Sequence, residues 1–207
     1  MAQRALPLVR TADDLELLPD DGNRYEILDG ILYVTPAPAI DHQRLLGALY
    51  LRLHAYTAAN GLEVLMAPVD VRASEVTQVQ PDLLVLPQHF PEEALTRWVP
   101  MARVVLTIEI LSPSTTIVDR GRKRRLYVEA GVAEYWIVDP KRRCVEIWRV
   151  GAASADVVTD TLLWQPLRSE APLQVGLPAL FEGSVGGDRK LPSHGDAESR
   201  KRQKLQE

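Results

Sequence analysis

The sequence predicts a mixed α/β domain, with a central β-sheet, two main helices covering it and an N-terminal β-hairpin. Three observations carry this. Short strand-like apolar runs outnumber helical ones, in the order hairpin, helix, three strands, helix, two strands. Two stretches, 41–61 and 115–131, carry helical start and stop signals. No glycine-rich phosphate loop follows any strand, so a dinucleotide-binding or P-loop fold has no support.

Each element follows from local chemistry. In RYEILDGILYVTPAP (24–38), Tyr25, Ile27, Ile31 and Tyr33 alternate around Asp29-Gly30, a strong two-residue hairpin signal, and Pro36 and Pro38 end the pair. The next segment has Asp41 as an N-cap candidate, an apolar stripe of Leu45, Leu46, Leu49, Leu53 and Tyr56, and Gly61 just past its end. Residues 62–74, 79–87 and 103–111 read as strands, with a loop or short helix over 88–100. Pro113 breaks the third strand, Ser114 or Thr115 can cap a helix to about Ala130, and Gly131 stops it. Residues 133–140 and 143–150 are strands joined by the turn Asp139–Arg143, and strand-like 156–167 and the apolar LPALF (177–181) complete the domain. The expected division is an N-terminal segment 1–19, a domain 20–185 and a flexible polar tail 186–207.

Bulk properties bound the function. The 207 residues suffice for one domain with a real core, and 46% apolar with 25% charged content is globular. No apolar run approaches a membrane span and the N-terminus is too polar and acidic for a signal peptide, so a cytoplasmic protein is expected. Cys144 is the only cysteine, which excludes a disulfide framework and a cysteine-based zinc site within one chain. The net charge is −4, and because the tail from Gly186 carries six Lys/Arg and four Asp/Glu, the remainder is −6. A polyanion would need a local basic patch rather than a uniformly basic surface.

The chemistry-bearing residues each have a bland reading beside the sharper one. Asp82 opens a strand whose run Leu83–Leu86 suggests a central position, yet Pro-Asp is also a common turn pair. Glu109 lies inside an otherwise apolar strand, where an unpaired carboxylate is costly; it has a metal, a hydrogen-bonded partner or a structural salt bridge. Asp119, Lys123 and Tyr127 fall four apart on one helix face, although a charge run is usually a solvated face and Asp–Lys at this spacing a simple helical ion pair. Glu26 reads by itself as an exposed strand residue, and His42 as a surface or capping histidine. Together, two hard-oxygen carboxylates on adjacent strands are what Mg²⁺ or Mn²⁺ needs, and a nearby lysine can hold a water or phosphate charge.

These segments resemble the Uma family of restriction-endonuclease-like proteins. The resemblance covers roughly 20 to 185 and is carried by YEILDG (25–30), His42 at the head of a helix, PDLLV (81–85), EILSPST (109–115), DRGRKRRLY (119–127) and GVAEYWIVDP (131–140). It implies a restriction-endonuclease-like core of the PD-(D/E)xK nuclease superfamily and Mg²⁺-dependent (or Mn²⁺-dependent) endonuclease chemistry on DNA. The alternative is a catalytically inactive nuclease-fold module that binds nucleic acid or protein. The superfamily lysine position falls on Leu111, so the resemblance implies that the following helix supplies it, as Lys123. Asp82, Glu109 and Lys123 are then the catalytic candidates, with Asp82, Glu109 and Glu26 as metal ligands and His42, Asp119 and Tyr127 as accessory residues. Arg120, Arg122, Arg124 and Arg125, with Lys141–Arg143, are candidate phosphate contacts or solvated surface. A homodimer is expected on two grounds. Trp136 and Trp148 on neighbouring strands, with Tyr135 and Ile147 alternating to the other face, leave more than one domain can cover. Cutting both strands of a duplex also suits a two-fold dimer.

Overall fold

A computed structural model describes residues 8–88, 97–166, 169 and 171–184. The fold is α/β, as the sequence predicts, but it contains two main sheets. β3 (Leu62–Met66), β6 (Leu83–Pro87), β8 (Leu106–Ile110), β9 (Glu134–Asp139), β10 (Cys144–Arg149) and β11 (Asp156–Val158) form a six-stranded sheet in the order β11-β10-β9-β8-β6-β3. Within it β8 and β9 run parallel and the other neighbours antiparallel. The hairpin of β1 (Arg24–Leu28) and β2 (Ile31–Thr35) joins β4 (Val71–Ser74), β5 (Thr77–Val79) and β7 (Val99–Pro100) in a five-stranded sheet, order β2-β1-β5-β4-β7. β12 (Thr161–Trp164) and β13 (Leu173–Gly176) make a separate antiparallel pair.

Side-chain alternation in β8 builds the site. Leu106, Ile108 and Ile110 face one core, packed by α1 (Ile40–Ala59) through Leu45, Leu46, Leu49 and Leu53 and by α4 (Leu177–Ser184) through Leu180 and Phe181. Burying each such leucine stabilises the fold by about 1.5–3 kcal/mol. Glu109 points to the opposite face of the sheet. There the second core holds Tyr127 and Tyr135 together with Leu28, Val71 and Val79 of the five-stranded sheet. Because Leu83 registers with Ile108, the next residue outward, Asp82, comes opposite Glu109.

The second long helix, over 116–129, is not one α-helix. α2 (Thr116–Val118) leads into a π-helical turn, Asp119–Lys123, followed by α3 (Arg124–Glu129). The Arg124 N–H donates to the Asp119 carbonyl, five residues back. The wider turn brings residues four apart closer to alignment than in an α-helix, so Asp119 and Lys123 both turn inward and are buried. Gly131, at φ 78°, ends the helix in the left-handed region, where a side chain would be strained.

Two expectations need correction, the cap of α1 and the faces of the two tryptophans. Asp41 is in the first turn of α1, not at its cap, and pairs with Arg44; Ala39 is the N-cap. LPALF lies in α4. Trp136 and Trp148 lie on opposite faces, because the register pairs Trp136 with Ile147 and Trp148 with Tyr135. Trp136 is buried in the first core beside Trp164 and Trp148 packs on the second, so both faces are covered and these residues give no ground for a dimer. Residues 9–18 pack on the domain: Val9 and Ala12 are buried with Ile27, and the Ala12 N–H donates to the Glu75 carbonyl at 2.7 Å. The polar tail and most of the loop expected over 88–100 lie outside the described residues.

Candidate functional site

Four carboxylates gather where the two sheets and the 116–129 helix meet: Glu26 on β1, Asp82 before β6, Glu109 on β8 and Asp119 in the π turn. All four are buried. β1 is an interior strand, so alternate residues Arg24 and Glu26 turn toward the six-stranded sheet while Ile27 packs on the N-terminal segment. This is why Glu26 is buried, contrary to its reading as an exposed strand residue.

Lys123 sits among three of these acids and is only 2% exposed. Its Nζ donates to Glu109 Oε1 at 2.9 Å, lies 2.8 Å from Glu26 Oε1, and stands 3.8 Å from Asp119 Oδ1. The Tyr127 hydroxyl donates to the same Glu109 oxygen at 3.1 Å, and the Gln80 N–H donates to Glu26 Oε1 at 2.7 Å. Neither oxygen of Asp119 makes a hydrogen bond. The neighbouring Thr115 hydroxyl favours the Asp119 charge without reaching hydrogen-bonding geometry, and its oxygen accepts from the Ser112 N–H at 3.3 Å.

Asp82 is held differently. Arg24 Nη2 donates to its Oδ1 at 3.0 Å, and the Ile110 N–H donates to its Oδ2 at 2.8 Å. His42 Nε2 lies 3.1 Å from Oδ2; facing an ionised carboxylate it must carry the proton, which leaves Nδ1 buried without a partner.

The electrostatics follow from these contacts. Burial alone would raise the Asp82 pKa, but the His42 hydrogen bond, the Arg24 charge and the Ile110 N–H outweigh it and hold the group at about 2. Burial pushes Glu109 well above the usual carboxylate range despite Lys123, and the charges of Asp119, Asp82 and Glu26 push the same way. Burial likewise raises Asp119 to about 6, with Lys123 opposing. For Lys123 burial works against the charge, but Glu109, Glu26 and Asp119 outweigh it and keep the amine protonated.

Asp82 and Glu109 open into one cleft of about 780 Å³. Its other walls are the head of α1 with His42, residues 110–116, and the turn 139–142. Of the four helix arginines only Arg120 lines it, and Arg120 is bound to Asp139 and Glu146. Arg122 and Arg125 are exposed elsewhere, and Arg124 stacks on Trp148 with its guanidinium carbon 4.6 Å from the ring centroid. The helix therefore offers no arginine row to the cleft. Lys141, at the exposed rim, is a better-placed cation.

Among the described residues no group of three or more His, Cys, Asp or Glu side chains is arranged to hold a metal ion. Donor chemistry and charge nevertheless suit a hard divalent cation. The four carboxylates share two fixed cations, Arg24 and Lys123, and one histidine, so the interior carries excess negative charge. Any such ion would draw first on Asp82 and Glu109, which line the cleft, whereas Glu26 lies behind them.

Sequence reasoning picked out Glu26, His42, Asp82, Glu109, Asp119, Lys123 and Tyr127, and the structure brings all seven into this region. It missed Arg24 and Gln80. Arg24 was legible, since it stands two residues before Glu26 and so on the same strand face. Gln80 acts through its backbone and leaves no sequence signal.

No curated protein matches the chain. Among solved structures, the chain is similar to a "putative nuclease belonging to DUF820" from Anabaena variabilis. That structure is 21% identical with a TM-score of 0.70, over 84% of this chain and 99% of the other, and the likeness concerns the fold alone. No described helix is long and apolar enough to cross a membrane. Residues 12–180 match Uma2, described as "Putative restriction endonuclease", and the chain belongs to this family of restriction-endonuclease-like fold.

Proposed function

We propose that this chain is a nuclease-fold module that binds nucleic acid at the carboxylate cleft, with its acidic groups closed in internal ion pairs in the conformation described. The observation that carries this reading is the set of partners at the site. Asp82 is taken by Arg24, His42 and a backbone N–H, while Glu109 and Glu26 share Lys123. The family supports nucleic acid as the ligand, and Lys141 at the cleft rim offers a phosphate contact.

A second reading is favoured by one specific observation, the convergence of Asp82 and Glu109 on one cleft with Lys123 against Glu109. In it the chain is an endodeoxyribonuclease. Asp82 and Glu109 would hold Mg²⁺ or Mn²⁺, with Glu26 assisting. The bound ion would supply charge stabilisation at the phosphate and an activated water. Lys123 would orient that water, and Tyr127 would keep Glu109 in place.

Incubating purified protein with labelled duplex and single-stranded DNA, in chelator, Mg²⁺ or Mn²⁺, separates the readings. The first expects complexes in chelator and intact DNA in every buffer. The second expects products with metal that Glu109→Gln abolishes. Absence of both complexes and products would overturn both.

A further inference from the structure

Asp119 is the unexplained group of the site. It is 1% exposed, neither of its oxygens makes a hydrogen bond, and the Lys123 amine stands 3.8 Å away. A buried carboxylate in that state is costly and seldom occurs without a reason. Lys123 meanwhile has three N–H donors and is pulled from three sides. Two of its carboxylates, Glu26 and Glu109, are at contact distance and the third is about an ångström too far. The π turn puts Asp119 and Lys123 on the same inward face, so the gap between them is one that a change of the lysine side-chain torsions could span.

We infer that Asp119 is a positioning residue, a second seat for the Lys123 amine, occupied when Glu109 no longer holds it. In the first seat Lys123 closes the site by neutralising Glu109. In the second it lies against Asp119 and leaves Glu109 free toward the cleft. The positive charge stays buried throughout and always keeps a carboxylate partner, which keeps the exchange inexpensive. The raised pKa values of both Glu109 and Asp119 agree with two carboxylates competing for one cation. This gives the closed site of the first reading a route to the open site of the second. Its purpose rests on that functional reading, whereas its test does not.

The test needs neither metal nor nucleic acid. Glu109→Gln removes the competing charge, and the crystal structure of that variant should show Lys123 Nζ within hydrogen-bonding distance of Asp119. Thermal unfolding supplies the energetic counterpart. In the wild type, Asp119→Asn should leave the melting temperature unchanged or raise it, because it removes a buried charge that no hydrogen bond satisfies. In the Glu109→Gln background the same change should lower it, because Asp119 has become the lysine's partner. A purely structural Asp119 would give the same sign in both backgrounds. Should Glu109→Gln not fold, Glu109→Leu removes the same charge without leaving a buried amide to satisfy, and the same reversal is expected. Lys123 remaining more than 3.5 Å from Asp119 in the variant, with additive effects on melting, would overturn the inference. Failure of DNA binding alone would leave this result standing and overturn only the functional reading.

Discussion

Two ion-pair networks leave the same helical turn and end in opposite conditions. Arg120 points outward to Asp139 and Glu146, at 2.7 and 2.6 Å, and Arg142 joins at Glu146, at 3.0 Å. The second oxygen of Asp139 accepts the Lys141 and Arg142 N–H groups, both at 3.0 Å. Two acids there face two arginines, and the Arg120 side chain is 33% exposed, so water and salt screen the group. Three residues on, Lys123 points inward to three carboxylates, wholly buried, and one of them, Asp119, makes no hydrogen bond. The outer network is balanced and pins the 139–142 turn to the helix. The inner one is short of positive charge. Such an imbalance costs stability, and perturbed carboxylates gathered at a cleft are a common feature of functional sites.

The contrast predicts very unequal mutational costs. Lys123→Met leaves three buried acids without their cation and should cost roughly 3–5 kcal/mol in urea unfolding at pH 7. A cost under 1 kcal/mol would show that the inner acids are already neutral and would break the comparison.

Titration should show the same asymmetry. The folded pKa of Asp119 is raised to about 6 from an ordinary value of 3.8, so between these the folded state binds the extra proton. Its contribution to stability is therefore greatest below pH 3.8 and falls as pH rises through 6, by about 3 kcal/mol in all. Unfolding midpoints measured from pH 4 to pH 7 should lose this slope in Asp119→Asn. An unchanged slope would place the titration on another group. Asp82 has the opposite sign. Its pKa is depressed to about 2, so its contribution of about 2 kcal/mol is present above pH 3.8 and is lost as pH falls through 2. His42→Ala should shrink that acid-side loss, as read in acid unfolding curves.

The smallest effect belongs to the outer network. Arg120→Met leaves Glu146 with Arg142 and Asp139 with its two N–H groups, and should cost no more than about 1 kcal/mol. A loss equal to that of Lys123→Met would remove the distinction between the networks.

How much of this was legible depended on range. Local chemistry was legible: Asp29 at φ 52° and Gly30 at φ 74° make the hairpin turn that Asp-Gly announces. An acid inside an apolar strand announced Glu109, and four-residue spacing announced Asp119, Lys123 and Tyr127. The five-stranded sheet was not legible, because β4, β5 and β7 have four, three and two residues and their pairing is set by distant partners. Nor was the π turn, whose defining bond reaches five residues back. The tryptophan faces were misread because the register of an antiparallel pair depends on turn length, and a one-residue difference moves every side chain across the sheet.

Fluorescence anisotropy of labelled DNA reads out whether this cleft receives nucleic acid. The wild type and Lys141→Glu, a charge reversal at the exposed rim, are titrated in chelator at several salt concentrations. Salt-dependent binding by the wild type is expected, weakened about tenfold or more in Lys141→Glu, since a favourable phosphate contact becomes a repulsion. Equal affinities for the two proteins, or no binding by the wild type at tens of micromolar protein, would contradict it.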